Sequence, residues 1–446
     1  MSCHNFFCQI FKNNSCYSSP RRVAPLQKFS YGKIFLLGFG FFGISVIWSI
    51  YNSYVPVFLK EHALPSWLVG FIMTIDNIFA VVLLPYIGVL SDLTRTRLGR
   101  RKPYILAGAP PAALTFALIP LLRGELIPMM IVILLMNLSM ALFRSPVIAF
   151  MPDVTPSEYR SQANGIINFM GGVGSLLAFF AGSWLYRLNP TYPFIASAVL
   201  LAASSFLVIV LVDEPEEFKV KGGKSNIGGE LGRLFRRSFA DLGGTLSAAY
   251  SDPDKSLLFM LASIFLWFVG YNAIETFFTS YAKWYMGIGE ATGAFLLGFV
   301  ALGFLIFSLP AGFIGAKLGR RKTMTLGLLL ILVLLFLAMQ LPEILPVEVA
   351  VLYIQGVFLL LGFSWALVNV NSLPTVVDMT SREKLGTYTG LYYFASQTAA
   401  ITGPPIAGLF IDLLGYGALF PFSLIFLALS AVTLQFVKRG EARRGF

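Results

Sequence analysis

Three ionisable side chains, Asp76, Arg144 and Glu275, stand inside stretches that are otherwise apolar. A charge in such surroundings costs roughly 3 kcal/mol or more, so it faces a cavity or a partner. A carboxylate withdrawn from water takes up or releases a proton according to what stands beside it, which links proton binding to the binding of something else. Both histidines, His4 and His62, fall outside these stretches, so a proton carried at depth needs a carboxylate. Glu275, one turn beyond Tyr271 and next to the helical face of Asn272, is the first candidate for that role and Asp76 the second. The alternative for each is an acid held permanently by a tyrosine or by Arg144. Arg144 itself presents a planar fork that clamps the hydroxyls or carboxylate of a substrate, or else it neutralises one of the two acids.

The same stretches carry side chains suited to a pyranose, which has an apolar face for ring contact and a rim of hydroxyls for amides. Trp48, Tyr51 and Asn52 form one group, Trp267, Tyr271 and Asn272 a second, and Asn137, Trp365 and Asn369 complete the set. Each aromatic has a second reading as a packing or interfacial residue. The amides carry more weight: a buried Asn without a partner is costly, and Asn52 and Asn272 occupy matching depths.

The elements that position these groups are membrane helices. Of 446 residues, 57% are hydrophobic and 12% charged, with a mean hydropathy of +0.75; soluble domains carry about 25% charged residues. A bilayer core of about 30 Å takes roughly 20 apolar residues per helix. Twelve such runs follow one another, at 34–59, 66–90, 103–122, 126–151, 162–185, 192–212, 256–283, 290–316, 323–341, 347–377, 385–411 and 417–437. Pro56, Pro85, Pro146, Pro310 and Pro374 fall inside or near the ends of these runs and predict bent helices. With the N-terminus cytoplasmic, 28 of the 33 Lys and Arg residues fall in cytoplasmic segments, as the positive-inside rule demands of a chain with both termini in the cytoplasm. The net charge of +11 then faces the anionic inner leaflet, and nucleic acid is not an expected partner.

The chain repeats itself. Leu98-Gly99-Arg100-Arg101-Lys102 recurs 220 residues later as Leu318-Gly319-Arg320-Arg321-Lys322. Asp153-x-Thr155-x-x-Glu158 recurs as Asp378-x-Thr380-x-x-Glu383, and Trp48, Tyr51 and Asn52 are echoed by Trp267, Tyr271 and Asn272. The expected organisation is a cytoplasmic tail (1–33), a six-helix bundle (34–212), a linker (213–255), a second six-helix bundle (256–437) and a short tail (438–446). In the linker, Leu231, Leu234, Phe235, Phe239 and Leu242 recur at helical spacing beside Arg233, Arg236 and Arg237, the pattern of an interfacial helix, although glycines interrupt it. Cys3, Cys8 and Cys16 all lie in the first tail, at spacings that fit no standard zinc pattern, and it lacks the apolar core of a signal peptide.

The run Gly88-Val89-Leu90-Ser91-Asp92, followed by Arg97-Leu98-Gly99-Arg100-Arg101-Lys102-Pro103-Tyr104-Ile105, resembles the signature loop of the major facilitator superfamily, and through the repeat the resemblance covers essentially the whole chain. It implies an all-α polytopic membrane protein of twelve transmembrane helices in two six-helix bundles. It also implies gating roles for Asp92, Arg100 and Arg101, with Asp153 and Glu158 as partners. The tail of the motif is similar to that of sucrose-proton symporters and the wider glycoside-pentoside-hexuronide symporters. The resemblance therefore implies a sugar or glycoside substrate moved with a proton or other cation, by a monomer in the cell membrane. The charges do not match position by position. Where plant sucrose carriers place an aspartate and an arginine in the fourth helix, this chain has Asn137 and Ile148; where melibiose-type carriers place two acids in the second, it has Ala80 and Leu84. Export of amphipathic molecules and a transport-dead receptor or assembly factor are the alternatives. No nucleophile-base pair, phosphate loop or metal cluster points to an enzyme or a cofactor.

Overall fold

The computed structural model describes residues 31–156, 159–215, 253–380 and 384–441, with isolated positions between 243 and 251. Cys3, Cys8 and Cys16, the expected interfacial helix, Glu158 and Glu383 lie outside the described residues. Within them the secondary structure is helical apart from one isolated bridge, Thr96 with Gly99. In the first half, α1 is Tyr31–Glu61, α2 Ser66–Met73, α3 Ile75–Leu93, α4 Lys102–Leu118, α5 Leu126–Val154, α6 Arg160–Leu188 and α7 Tyr192–Leu211. In the second, α8 is Ser256–Trp284, α9 Glu290–Leu318, α10 Arg320–Ile344, α11 Val347–Val377, α12 Leu385–Leu414 and α13 Leu419–Leu434. Eleven spans, with α2 and α3 counted as one, are long and apolar enough to cross a membrane. The twelfth is α12, a 30-residue helix whose Thr, Ser, Gln and Gly residues keep it more polar.

The second span differs from the continuous helix expected at 66–90. It is interrupted at Thr74, whose hydroxyl and backbone amide both bond to the Phe71 carbonyl, at 2.8 and 3.1 Å. These three-residue bonds tighten the turn and divert a carbonyl from the regular ladder. The ends also shift: the third span closes in a 3-10 turn at Pro120–Leu122, and the last opens in one at Tyr416–Ala418. The five prolines expected within or beside spans all lie inside helices.

The packing follows the repeat. In the first half α1 packs on α6 and α7, α4 on α5 and α7, and α3 on α5. In the second, α8 packs on α12 and α13, α10 on α11 and α13, and α9 on α11. Each pair in one bundle has its counterpart six spans on. The bundles meet through α1 with α8, α2 with α12 and α6 with α9. Glycine permits the closest approaches: a Cβ on Gly70 would stand 2.4 Å from the Pro404 carbonyl oxygen, and one on Gly408 2.3 Å from that of Ser66.

An even number of spans puts both ends of the described chain on one face, here called the terminal face; the opposite one is the distal face. Near the distal face the bundles are bonded together. Asp412 of α12 accepts the backbone amides of Ser66 and Trp67 at the start of α2, at 2.7 and 3.0 Å, and stands 3.6 Å from Lys60 Nζ. Glu61 takes Arg123 from its own half and Lys283, at 2.7 Å, from the other. Glu290 accepts from Tyr186 across the interface at 2.9 Å. Among the described residues, the hydrogen bonds and ion pairs joining the halves lie near this face, apart from one deeper contact described below.

Two glycines of α11 test the packing. A Cβ on Gly362 would fall 2.2 Å from the Val300 carbonyl oxygen of α9, whereas one on Gly356 meets nothing within 4 Å. Gly362→Ala is expected to lower stability by about 1–3 kcal/mol and Gly356→Ala to leave it unchanged or slightly raised. Melting temperatures of the two variants in detergent read the difference.

Candidate functional site

A small cavity with room for about one water molecule lies within the first bundle, lined by Trp48 of α1, Asp76, Ala80 and Leu84 of α3, and Asn137, Met140, Ala141 and Arg144 of α5. The interruption at Thr74 places Asp76 in the first turn of α3, near the positive end of the helix dipole. Its Oδ1 accepts from Asn77 Nδ2 at 3.0 Å. Arg144 makes no hydrogen bond or ion pair with another described residue, and the charge acting on it across the cavity is that of Asp76. Asn137 is 1% exposed; its Nδ2 reaches the Tyr51 hydroxyl at 3.4 Å and its Oδ1 has no partner, nor has Trp48 Nε1. The lining thus offers a donor, an acceptor, a carboxylate and a guanidinium fork with hydrogen-bonding capacity to spare.

The sequence places no charge at Ala80, Leu84, Asn137 or Ile148, where the resembled carriers have theirs. The structure puts the first three of these positions in the cavity wall. Asp76 precedes Ala80 by four residues and Arg144 precedes Ile148 by four, which on a helix is the same face one turn away. Both α3 and α5 run from the distal to the terminal face, so both charges are displaced in the same direction, by about 6 Å.

Glu275 lies outside this cavity, at the boundary between the halves. Its Oε1 accepts from Asn52 Nδ2 at 3.1 Å, joining α1 to α8 nine residues short of the distal end of each helix. In the second half Tyr271 and Trp365 stack in parallel, with ring centres 4.2 Å apart and planes 5° apart, and Phe268 meets Trp365 edge-on at 5.6 Å. Asn369 is half-buried one turn beyond Trp365.

Other expected lining residues are elsewhere. Trp267 is fully buried in the core of the second bundle, one turn from Gly270, where α8 meets α13, so the counterpart of Trp48 is a packing residue. Tyr51 is also fully buried, behind Trp48 and Asn137. Asn272 turns its amide back to the Phe268 carbonyl at 2.7 Å, which satisfies it within its own helix. The repeat of Trp, Tyr and Asn is therefore one of position, with different surroundings in each half.

At the terminal face the motif residues form a network. Asp153 accepts from both Arg100 Nε, at 3.0 Å, and Arg101 Nε, at 2.8 Å. Arg101 also bonds to Asp92 and to Ser91. These contacts all lie within the first bundle. Sequence reading missed the acid at their centre, Glu214, just beyond α7. Its carboxylate accepts the backbone amides of Arg100, Arg101 and Lys102 at 2.6, 2.8 and 2.9 Å. In the second bundle Glu441 does the same for Arg320 and Arg321, at 2.7 and 3.1 Å, while Arg320 pairs with Asp378. Gly99 and Gly319 both have positive φ, 107° and 93°, which turns the following amides toward these acids. An acid following the sixth and the twelfth span was the available signal. Asp412, Glu61, Lys283 and Glu290 of the distal face were also missed, since their partners lie far away in sequence.

The family profile of the Major Facilitator Superfamily matches residues 35–397 and, in a second alignment, 284–445. The chain is 24% identical over 296 residues to an arabinose-proton symporter of Bacillus subtilis, covering 60% of this chain and 62% of that one. It is 24% identical over 198 residues to a sucrose transport protein of Arabidopsis thaliana, covering 38% and 32%. A stretch of 80 residues is 41% identical to an uncharacterized symporter of Synechocystis, covering 18% and 15%. It thus spans less than two thirds of each of these relatives. The crystal structure of a point mutant of the nucleoside transporter NupG superposes with a TM-score of 0.67 at 16% identity, over 91% of this chain and 99% of that one. That of a D-xylose-proton symporter gives 0.64 at 17%, over 91% and 97%. At such identities the likeness is one of fold. Helix order, internal repeat, motif loop and the extent of the profile match converge: this chain is an integral membrane protein that belongs to the Major Facilitator Superfamily.

Proposed function

We propose that this transporter moves a sugar or glycoside across the membrane by alternating access, together with a proton. The observation that carries the reading is the cavity of α1, α3 and α5, where Trp48 Nε1, Asn137 Oδ1 and Arg144 leave hydrogen bonds unmade beside an indole ring. Unpaired polar groups at this depth are costly unless a ligand or water completes them, and a ring of hydroxyls supplies both donors and acceptors. The displacement of Asp76 and Arg144 by one turn from the charged positions of sugar carriers supports the same reading, as do the relatives named for sucrose and arabinose. As it stands the cavity has room for about one water molecule, far short of the roughly 300–1,000 Å³ typical of ligand pockets, so substrate entry must widen it.

With 28 of 33 basic residues in the segments on the terminal face, that face is cytoplasmic in this reading. The bonded distal face then seals the outside in this reading. Asp92, Arg100, Arg101 and Asp153, with Glu158 beyond the described residues, act as the gating set on the cytoplasmic side. Asn52, Tyr271, Trp365 and Asn369 face the substrate from beyond the cavity as the halves close on it.

Glu275 carries the proton. As a carboxylate its Oε1 accepts from Asn52. Protonation at Oε2 leaves Oε1 an uncharged acceptor, so the bond from Asn52 loses its charge assistance and weakens. Proton uptake thus acts on a contact between the two halves, the contact that alternating access must remake.

Uptake of a mixed panel of saccharides, with nucleosides included, into proteoliposomes tests the substrate. Saccharide accumulation only under an imposed pH gradient is expected; nucleoside uptake without saccharide uptake would sink the assignment. Glu275→Gln is expected to abolish gradient-driven accumulation and to preserve counterflow exchange, and gradient-driven uptake surviving in that variant would remove Glu275 from the coupling role. Asp92→Asn deletes a charge-assisted contact of about 1.5–3 kcal/mol. It is expected to slow transport by about tenfold or more at unchanged expression; undiminished initial rates would rule out the gating role.

A further inference from the structure

Asp76 and Arg144 face one cavity without touching. Among the described residues no ion pair joins them, and Asp76 Oδ1 is already engaged by Asn77 Nδ2 at 3.0 Å. Opposite charges lining one small cavity attract each other across the gap. This separation has a chemical consequence. A guanidinium with no counter-charge would draw in an anionic ligand, because a carboxylate would complete it. A guanidinium locked to an adjacent carboxylate would have its donors occupied. Here the counter-charge is present and the donors remain available.

Resting on the sugar-transport reading, we infer that Asp76 is a specificity-determining residue that restricts the cavity to neutral sugars and excludes their carboxylated counterparts. A neutral hydroxyl gains the Arg144 donors and loses little water. A uronate must leave water with its full charge and enter a cavity whose own charges already cancel, so attraction to Arg144 is offset by repulsion from Asp76.

The proposal makes specificity switchable by one substitution. Removing the charge of Asp76 leaves Arg144 uncompensated, and an acid sugar then supplies the missing anion. The test measures competition by unlabelled glucuronate and galacturonate against uptake of radiolabelled glucose, galactose and sucrose. It compares proteoliposomes of the wild type, Asp76→Asn and Asp76→Glu at one fixed pH. In the wild type and Asp76→Glu, uronates are expected to compete at least tenfold more weakly than the matching neutral sugars. In Asp76→Asn, uronate potency is expected to rise at least tenfold. Uronates competing within threefold of neutral sugars in the wild type would overturn the inference, and that arm needs no variant to fold. So would a well-folded Asp76→Asn protein that transports neutral sugar and gains no response to uronate. A wild type that takes up no sugar of either kind overturns the sugar reading itself, and this inference with it.

Discussion

Hydrocarbon offers no hydrogen-bond partners, and that constraint governs where every polar atom of this chain can stand. Most serines and threonines in the spans meet it locally by bonding to a carbonyl three or four residues back, as Ser263 does to Phe259 and Ser364 to Leu360. Others bind helices together: Ser145 reaches the Leu84 carbonyl, and Asn371 bonds to Ala311 and Leu367. Such groups are satisfied and therefore structural. An orphan polar atom is not by itself a site, since Trp267 Nε1 in the second bundle is also unpartnered. The cavity stands apart because unused atoms of Trp48 and Asn137 converge there with two opposite charges.

The same constraint explains how the two motif loops are built. A helix beginning at the terminal face exposes its first amides, and the chain answers with a carboxylate from beyond the last span of the same bundle, Glu214 for α4 and Glu441 for α10. The positive φ of Gly99 and Gly319 makes the approach feasible; a Cβ on Gly99 would stand 2.3 Å from the Glu214 carboxyl carbon. Beyond this frame the halves diverge. Arg101 binds an acid, Asp92, whereas its counterpart Arg321 binds the Val437 carbonyl at 2.8 Å. A contact to a charged side chain on another span is set by the position of that span, while a backbone carbonyl next to Glu441 fastens the loop to the end of its own bundle.

Much of this was legible because it is local or repeated. Apolar run length gave the twelve spans, the 220-residue repeat their grouping, and the fixed spacing of Arg100, Arg101 and Asp153 a network the structure also contains. The interruption of the second span was not legible. A threonine within an apolar run fits a continuous helix as well as a break, and only the direction of its hydroxyl decides. Glu214 and Asp412 were hidden for another reason: their partners are 112–114 and 345–346 residues away, and no periodicity reports a contact of that range. The cavity was half hidden. Asp76 and Arg144 stood out as charges, yet comparison by position reads Ala80 and Ile148 as losses; only helical geometry shows that four residues earlier is the same face.

The interruption at Thr74 ties the two ends of this picture together. The half-helix α2 belongs to the first bundle by sequence, yet its closest backbone contacts are with α12 of the second, through Gly70 with Pro404 and through Gly408 with Ser66. Asp412 fixes its first amides to the same partner. Beyond Thr74, α3 returns to its own bundle and packs on α5. Separation of the halves at the distal face must therefore either carry α2 with one bundle or pull it from the other, and the strain falls on the residue where the helix is already interrupted. Asp76 is two residues further on, in the cavity wall. In the alternating-access reading proposed above, the acid that faces Arg144 is thus mounted next to the joint that opening of the distal face would load.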